Sequence, residues 1–158
     1  MRLTFRILVA KKSDARELAG LHAALSAETQ RLKPIRLVKN LKRALELELR
    51  AEIGARDSLV LKAVDERGDA IGILTAVIRK NSVRHAEKRN VYVHTLFVLR
   101  KHRRKGIGAA LFLTLFYWMR RKRLHEAGLL VSVKNKAGAR FYESMGFRTL
   151  WLNMKKFV

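Results

Sequence analysis

The sequence predicts an α/β fold with a mixed central sheet and helices on both faces. Apolar residues alternate with a period of two in some segments and recur at helical spacing in others. The segments follow in the order β-α-α-β-β-β-α-β-α-β, and no low-complexity tract or Pro/Gly/Ser linker divides the 158 residues. A chain of this length fits one domain, so residues 1–158 are assigned to a single domain.

The first part of the chain gives one strand and two helices. Phe5–Val9 is predicted as a strand. The pair Ser13-Asp14 suits a helix N-cap, and apolar positions recur at helical spacing over Ala15–Leu25. After a break at Lys33-Pro34, a second helical pattern covers Leu37–Glu52.

Three strands follow. Ser58–Val64 and Ala70–Arg79 flank the charged turn 65–69, which predicts a hairpin. A basic loop, Lys80–Arg89, leads into a third strand at Val91–Leu99. Because these strands are adjacent in sequence, we expect them to pair antiparallel.

The last part of the chain alternates helices with strands. Ile107–Arg123 is a strongly apolar helix that ends in four cations, which suit the negative end of its dipole. Leu129–Val133 is predicted as a buried strand, Lys136–Met145 as a short helix and Phe147–Phe157 as a final strand or hairpin arm. The strands that flank the long helix are expected to run parallel.

Composition excludes several classes of protein. The chain has no cysteine, which rules out disulfides, zinc-thiolate sites and thiol nucleophiles. Its five histidines show no HExxH or close-pair spacing, so we expect no metal site. Arg6 interrupts the first apolar run, and the longest run, Ala109–Met119, is far shorter than the ~20 residues of a membrane span. We therefore expect a soluble cytoplasmic protein.

The formal net charge is +22 and is unevenly distributed. Residues 1–69 carry 15 basic and 10 acidic side chains, whereas residues 70–158 carry 20 and 3. Such a field attracts polyanions and weakens with salt. A phosphate-rich cofactor, a nucleic acid, a ribosome and an anionic lipid surface all meet this description, and charge alone does not choose among them.

The most informative segment is the turn after the strand that ends near Val98. A basic stretch, Arg100–Lys105, precedes Gly106 and Gly108, which open a helix. Glycines let a ligand approach the backbone, and unpaired N–H groups at a helix start hold phosphates. The P-loop and GxGxxG patterns are absent, since Leu111 occupies the third glycine position. The matching pattern, [RQ]xxGx[GA], is by itself equally typical of a plain glycine-rich helix start.

A second motif downstream resolves this ambiguity. Val131, Asn135, Phe141-Tyr142 and Gly146-Phe147 have the spacing VxxxNxxAxxFYxxxGF, and the first segment reads VxxxxRxxGxG. With both motifs the sequence resembles the GCN5-related N-acetyltransferase (GNAT) superfamily. The resemblance covers the whole chain in element order and residues 91–150 in motif detail. One departure is Gly138, where the family usually has alanine.

The resemblance implies transfer of an acetyl group from acetyl-coenzyme A to an amine, without a metal. Backbone N–H groups of residues 104–109 would hold the pyrophosphate, and the Val98 N–H would polarise the thioester carbonyl. Asn135 would bind the pantetheine arm and Tyr142 would protonate the leaving thiolate. The cofactor-binding residues implied are Leu96, Phe97, Val98, Arg103, Arg104, Lys105, Gly106, Ile107, Gly108, Ala109, Asn135 and Tyr142. Purely structural roles remain open: a helix cap for Asn135 and a core aromatic for Tyr142.

The general base is the weakest part of the resemblance. Many relatives use a glutamate on one of two strands, which here read Val93-His94-Thr95-Leu96 and Leu129-Leu130-Val131. Neither contains a carboxylate. His94 is the best local substitute because imidazole titrates near neutrality. A structural histidine, a water chain or an acceptor amine of low pKa are the alternatives.

The charge also bears on the acceptor. A strongly basic surface should repel polyamines and aminoglycosides, so we expect an acceptor amine on a protein or within a nucleoprotein assembly. The loop Lys80–Arg89 and the helices before residue 52 occupy positions where relatives form acceptor sites. The latter carry a basic run at Arg31, Lys33, Arg36, Lys39, Lys42 and Arg43.

Two other hypotheses remain. One is a basic nucleic-acid- or ribosome-binding protein on an inactive acetyltransferase fold. The other is a structural partner whose apolar helix, Ala109–Met119, forms a dimer interface, although that stripe also suits burial against the sheet. The sequence is compatible with a monomer or a homodimer.

Overall fold

A computed structural model of the chain describes residues 4–30, 32, 36–154 and 156. The predicted break at Lys33-Pro34, the side chain of Arg31 and the end of the last predicted strand at Phe157 lie outside the described residues. The strands are β1 (Phe5–Val9), β2 (Ser58–Asp65), β3 (Ala70–Lys80), β4 (Arg89–Val98) and β5 (Ala127–Leu129). The helices are α1 (Ala15–Gln30), α2 (Leu41–Glu52), α3 (Ile107–Arg121) and α4 (Lys136–Ser144).

The five strands form one mixed sheet in the order β1-β2-β3-β4-β5. The first four pair antiparallel, with Leu61 opposite Leu74 and Thr75 opposite Thr95. β4 and β5 are parallel, with Val91 opposite Ala127. The predicted α/β class and strand directions are confirmed, because consecutive strands form hairpins while α3 crosses over between the parallel pair.

Helices cover both faces of the sheet. On one face α3 buries Leu111, Phe112 and Leu115 completely against the strands. On the other, α1 and α2 bury Leu18 and Leu49. The apolar stripe of α3 therefore packs against the sheet, which is one of the two alternatives that the sequence left open for it.

The helix boundaries differ slightly from the predicted ones. α1 continues past Leu25 to Gln30. The hydroxyl of Thr29 donates to the carbonyl of Leu25, which satisfies this polar side chain inside the helix. α2 begins at Leu41, four residues after the predicted start at Leu37. The extra length of α1 brings its polar C-terminal part beside β4.

The two strand predictions at the end of the chain need correction. β5 ends at Leu129 rather than Val133, because β4 and β5 separate after three paired residues. The predicted final strand is absent from the described residues of 147–156, and Trp151 is 89% exposed. Its apolar residues resemble a strand in sequence, but they pack on no neighbouring strand among the described residues.

A β-bulge at His94 positions the site. Thr75 lies opposite Thr95 and Ala76 opposite Val93, so His94 is the extra residue. Before the bulge, Val93 packs on the α3 side of the sheet. After it, Phe97 packs on the α1 side, because the extra residue reverses the alternation. One strand therefore contributes side chains to both faces at the cleft.

Candidate active site

A cleft opens where β4 and β5 separate beyond the pair Val93 and Leu129. It contains two adjoining cavities of about 540 Å³ and 280 Å³. Both are lined by α1, β4 and α4, and Leu96, Asn135 and Tyr142 border the two together. We call these two cavities together the channel, and Tyr142 lies on the wall where they adjoin.

The larger cavity collects the cofactor residues that the sequence predicts. It is lined by all of them except Lys105, which is exposed outside the cavity. The predicted residues on its wall are Leu96, Phe97, Val98, Arg103, Arg104, Gly106, Ile107, Gly108, Ala109, Asn135 and Tyr142. Sequence reasoning missed the α1 wall, formed by Leu25, Glu28 and Thr29.

The start of α3 has the geometry of an anion cradle. Gly106 is the N-cap with φ +81°, a left-handed conformation that favours glycine. The first helical hydrogen bond runs from the Ala110 N–H to the Gly106 carbonyl at 3.0 Å. The N–H groups of residues 107–109 thus have no partner within the helix and lie at its positive end. A Cβ at Gly108 would lie 3.2 Å from the Phe141 ring, so a glycine also lets α4 approach.

Arg103 is oriented away from this cradle. Its Nε donates to the Val98 carbonyl at 2.8 Å. Its Nη2 donates to both carboxylate oxygens of Glu28, at 2.8 and 3.0 Å. This arginine therefore ties the end of β4 to α1, and its guanidinium is already engaged.

The backbone at Val98 faces the cleft. The N–H of Leu99 donates to the carbonyl of Ile71 on β3. Because alternate residues of an antiparallel strand point their polar groups to opposite sides, the N–H of Val98 points away from β3. Its carbonyl is taken by Arg103, which leaves the N–H directed at the open side of the strand.

Asn135 caps α4 at the junction of the two cavities. Its Oδ1 accepts a hydrogen bond from the Gly138 N–H at 3.0 Å. A Cβ at Gly138 would lie 2.5 Å from Asn135 Nδ2, so this amide occupies the space that an alanine would fill. The capping role and a position on the cavity wall coexist in this residue.

Tyr142 is held by aromatic packing. Its ring lies 5.5 Å from Phe141, 6.0 Å from Phe112 and 6.1 Å from Phe147, centroid to centroid. Burial raises the pKa of its hydroxyl above the usual value of 10.0, so the group stays protonated at neutral pH. Within the described residues the hydroxyl has no hydrogen-bond partner, which leaves its proton available to a molecule in the channel.

His94 lies on the wall of the smaller cavity. Its Nε2 is 3.4 Å from Nη2 of Arg79, whose guanidinium packs 3.6 Å above the Tyr92 ring. Partial burial and the charge of Arg79 lower the pKa of His94, which a more distant Glu48 opposes. The imidazole is therefore neutral at pH 7. Because arginine can only donate, a hydrogen bond from Arg79 requires the lone pair of the imidazole to lie on Nε2.

A second histidine, His22 of α1, also lines this cavity. Its Nε2 is 3.1 Å from the Thr95 hydroxyl, and its Nδ1 is buried without a hydrogen-bond partner among the described residues. Burial lowers its pKa, against the opposing charge of Glu48. The sequence predicts His22 only as part of the first helix. The sequence signal that could have identified it is a polar residue on the apolar face of the helix, at helical spacing from Leu18 and Leu25.

Among the described residues, the side chains that line the smaller cavity carry no formal charge. Within the part of the chain that the structure describes, no carboxylate lines it. Its wall consists of His22, Leu25, Ser26, Thr29, Gln30, Leu32, Leu37, His94, Leu96, Leu130, Val131, Ser132, Asn135 and Tyr142. The apolar residues are mostly leucines, and the polar ones are hydroxyls, amides and imidazoles.

Comparison with known proteins identifies the family. The model of the acetyltransferase (GNAT) family matches residues 21–147. The chain belongs to this family. It is an N-acetyltransferase, and enzymes of this family take the acetyl group from acetyl-coenzyme A. No curated protein sequence matches the chain.

Solved structures share the fold of this GNAT protein. The BH1408 protein of Bacillus halodurans, as a tetramutant, has a TM-score of 0.84 at 22% identity, over 97% of this chain and 99% of that one. A predicted acetyltransferase with acetyl-CoA from Clostridium acetobutylicum has a TM-score of 0.79 at 16% identity, over 96% of each chain. The aminoglycoside 6'-N-acetyltransferase AAC(6')-Ih from Acinetobacter baumannii has a TM-score of 0.73 at 21% identity, over 98% and 99%.

The described residues contain no helix that is long and apolar enough to cross a membrane. Within the same residues, no three His, Asp or Glu side chains are grouped so as to hold a metal ion.

Proposed function

We propose that this GNAT enzyme acetylates a primary amine presented by a protein, by direct attack of the amine on the thioester. The observation that carries the proposal is the junction at Tyr142. There the larger cavity, which ends in the anion cradle, adjoins the smaller cavity, whose described lining carries no formal charge. The unpaired N–H groups at the start of α3 and the open space at Gly106 fit a diphosphate.

The donor supplies the activated acetyl group as a thioester. The N–H of Val98 faces the channel and donates a hydrogen bond to the carbonyl oxygen on which negative charge develops. The amine nitrogen forms the new bond to the carbonyl carbon, and the carbon–sulfur bond breaks. Tyr142 gives its hydroxyl proton to the departing sulfur, a role that its raised pKa and unpartnered hydroxyl support.

His94 is the proposed acceptor of the amine proton. It reaches the smaller cavity from the bulge in β4, is neutral at pH 7 and has its lone pair on Nε2. Protonation of this nitrogen requires Arg79 to move away, since arginine cannot accept a hydrogen bond. His22 is the alternative base, but its free Nδ1 is enclosed by protein atoms.

The shape and charge of the smaller cavity favour a lysine side chain or an N-terminus over a polycation. Leu25, Leu37, Leu96 and Leu130 give it an apolar wall that suits an aliphatic stem. Its described wall has no carboxylate to hold several ammonium groups, and Arg79 at His94 adds a positive charge. Because the net charge of +22 attracts anionic partners, it favours an acceptor amine that is carried by an anionic assembly.

An inactive fold that only binds nucleic acid is disfavoured by the site. A chain that had lost turnover has no need to keep the free cradle, the cleft-facing Val98 N–H and the protonated Tyr142 in one channel. A dimer interface on the apolar stripe of α3 is disfavoured because Leu111, Phe112 and Leu115 are buried against the sheet.

The test is Tyr142→Phe, with Tyr117→Phe on the exposed face of α3 as the matched control. With acetyl-coenzyme A and a lysine-rich peptide, we expect Tyr142→Phe to lower kcat by about 10²-fold or more, the range for a lost general acid. Calorimetry should give an unchanged affinity for coenzyme A, and Tyr117→Phe should behave as the wild type. Unchanged kcat in Tyr142→Phe would remove the acid from the mechanism.

A further inference from the structure

A second concentration of positive charge lies at the end of the sheet opposite the cradle. We call it the basic pole and define it as residues 56–57, 80–89 and 120–126. Its cations are Arg56, Lys80, Arg84, Lys88, Arg89, Arg120, Arg121, Lys122 and Arg123. Its carboxylates are Asp57, Glu87 and Glu126, so nine positive charges minus three negative charges leave +6.

The fold brings these three segments together although they are far apart in sequence. Lys122 Nζ donates to the carbonyl of Arg56 at 3.0 Å, which joins the end of α3 to the residues before β2. The N–H of Val91 donates to the carbonyl of Glu126 at 2.9 Å, which joins the residues after α3 to β4, just beyond the loop 80–89. The pole is thus one continuous surface.

The charge of the pole is not neutralised locally. The ion pairs among the described residues are Arg50–Glu46, Lys62–Asp14 and Arg103–Glu28, and none of them belongs to the pole. Every cation of the pole is exposed except Lys122, which is half-buried. Holding nine cations on one surface against three carboxylates costs repulsion energy, which a bound polyanion relieves.

Coenzyme A does not account for this charge. The 15 residues of α3 run from the cradle to the pole, a length of about 22 Å at 1.5 Å per residue. This exceeds the Debye length of about 8 Å at physiological ionic strength. A diphosphate at the cradle is therefore screened from the pole and does not neutralise its charge.

We propose that the basic pole binds the phosphodiester backbone of double-stranded nucleic acid. Six of its nine cations are arginines, whose planar guanidinium groups make paired hydrogen bonds to phosphate oxygens. Its segments contain no Phe, Tyr or Trp, and the exposed ring beside it, Tyr117, lies 6.0 Å from the Arg121 guanidinium. With a single exposed ring nearby there is no series of aromatic side chains on which successive unpaired bases stack, so a duplex is favoured over a single strand. Val83 is its only strongly exposed large apolar residue among those described, too little for insertion into a bilayer.

Contacts of this kind read no sequence and depend steeply on salt. Fluorescence anisotropy of the full chain with labelled DNA and RNA duplexes of about 20 base pairs should give micromolar affinity at low salt. The logarithm of the affinity should fall with the logarithm of salt with a slope of about −4, corresponding to four or five phosphates. The two arms reveal which duplex is preferred, and binding of either supports the proposal.

The test variant is Arg84→Gln/Arg120→Gln/Arg121→Gln, which removes three exposed cations of the pole. Its matched control, Arg43→Gln/Arg67→Gln/Arg148→Gln, removes three exposed cations elsewhere. We expect the pole variant to lose about tenfold or more in affinity and about 2 to 3 units of salt slope, and the control less than about threefold. Both should keep their affinity for coenzyme A, which also reports that they are folded.

Equal losses in the two variants would overturn the proposal, because the net charge would then suffice. Displacement of the duplex by millimolar coenzyme A would assign the binding to the cradle instead. Tighter binding to phosphatidylserine vesicles or to polyglutamate would replace the nucleic acid by a membrane or an acidic protein. Lysine footprinting of the unmodified chain provides a second measurement: the duplex should protect Lys80 and Lys88 and leave Lys39 and Lys42 reactive.

Discussion

The ion pair between Arg103 and Glu28 allows the role of the motif arginine to be tested. The resemblance to GNAT enzymes places Arg103 among the cofactor-binding residues, but its guanidinium is bonded to the Val98 carbonyl and to the Glu28 carboxylate. We predict that it binds no phosphate directly and positions the end of β4. The perturbations are Arg103→Ala, Glu28→Ala and the double variant, with Arg100→Ala as an exposed control.

The expected magnitudes follow from exposure. Hydrogen bonds to charged groups contribute roughly 1.5–3 kcal/mol, and exposed ion pairs roughly 0.2–1 kcal/mol. Both side chains are 36% exposed, so we expect a coupling free energy of about 1 kcal/mol from the double-mutant cycle. Arg103→Ala also frees the Val98 carbonyl and should cost about 2 kcal/mol in total. This loss of stability corresponds to a fall in Tm of roughly 4–8 °C in thermal unfolding. Urea unfolding measures the loss in the free energy of unfolding independently.

The affinity for acetyl-coenzyme A, measured by calorimetry, decides between the two roles. If Arg103 positions β4, then both Arg103→Ala and Glu28→Ala weaken binding several-fold, since either change releases the strand end. If Arg103 were a phosphate ligand, Glu28→Ala would free its guanidinium and tighten binding. Tighter binding in Glu28→Ala, or a coupling energy near zero, would refute the positioning role.

Three further predictions concern glycines and histidines near the channel. Gly138→Ala should displace the Asn135 amide, because the added Cβ would occupy its place. We expect little change in Tm, since alanine is a better helix former than glycine and this offsets the weakened cap. Steady-state kinetics should show a raised KM for acetyl-coenzyme A. Gly106→Ala forces a Cβ into a left-handed conformation and should cost about 1–2 kcal/mol in urea unfolding while weakening coenzyme A binding; a fully stable variant would contradict this. The pKa of His22 is lowered below 6.5 in the folded chain, so stability from its neutral form is present above pH 6.5 and lost as the pH falls below it. Relative to the wild type, His22→Gln should lose less Tm between pH 7.5 and pH 5, whereas exposed His125→Gln should match the wild type.

The sequence predicts most of the fold, and it identifies the residues proposed for the donor half of the site, because both depend on local patterns. Alternation and helical spacing define the paired strands and the buried face of α3. The glycines at 106 and 108 mark the cradle, since backbone conformation there depends on the residue itself. Tyr142 and Asn135 are predicted as site residues because one short helix and its N-cap carry them at a fixed spacing.

The rest of the candidate site is less predictable because it depends on contacts between distant segments. His22 meets Thr95 only once α1 packs across β4, and Glu28 meets Arg103 in the same way. The early end of β5 follows from the separation of two strands, which no local pattern in Leu129–Val133 indicates. The motif also does not predict that Arg103 is bonded to Val98 and Glu28, because a motif specifies a residue type and not its hydrogen-bond partner.

The bulge at His94 links these two halves. A regular β4 that kept Val93 on the α3 side would send Thr95 and Phe97 to that side as well, away from α1. The one extra residue turns Thr95 towards His22 and Phe97 towards α1, while the outer strand edge beyond Val93 is left unpaired. The bulge therefore determines which N–H groups of β4 point outward, and the early end of β5 leaves those beyond Val93 unpaired among the described residues. It also places the His94 imidazole on the wall of the smaller cavity. Removing the residue at position 94 should restore a regular ladder and reverse the side chains that follow it, so the proposed donor site and the proposed acceptor site both depend on this insertion.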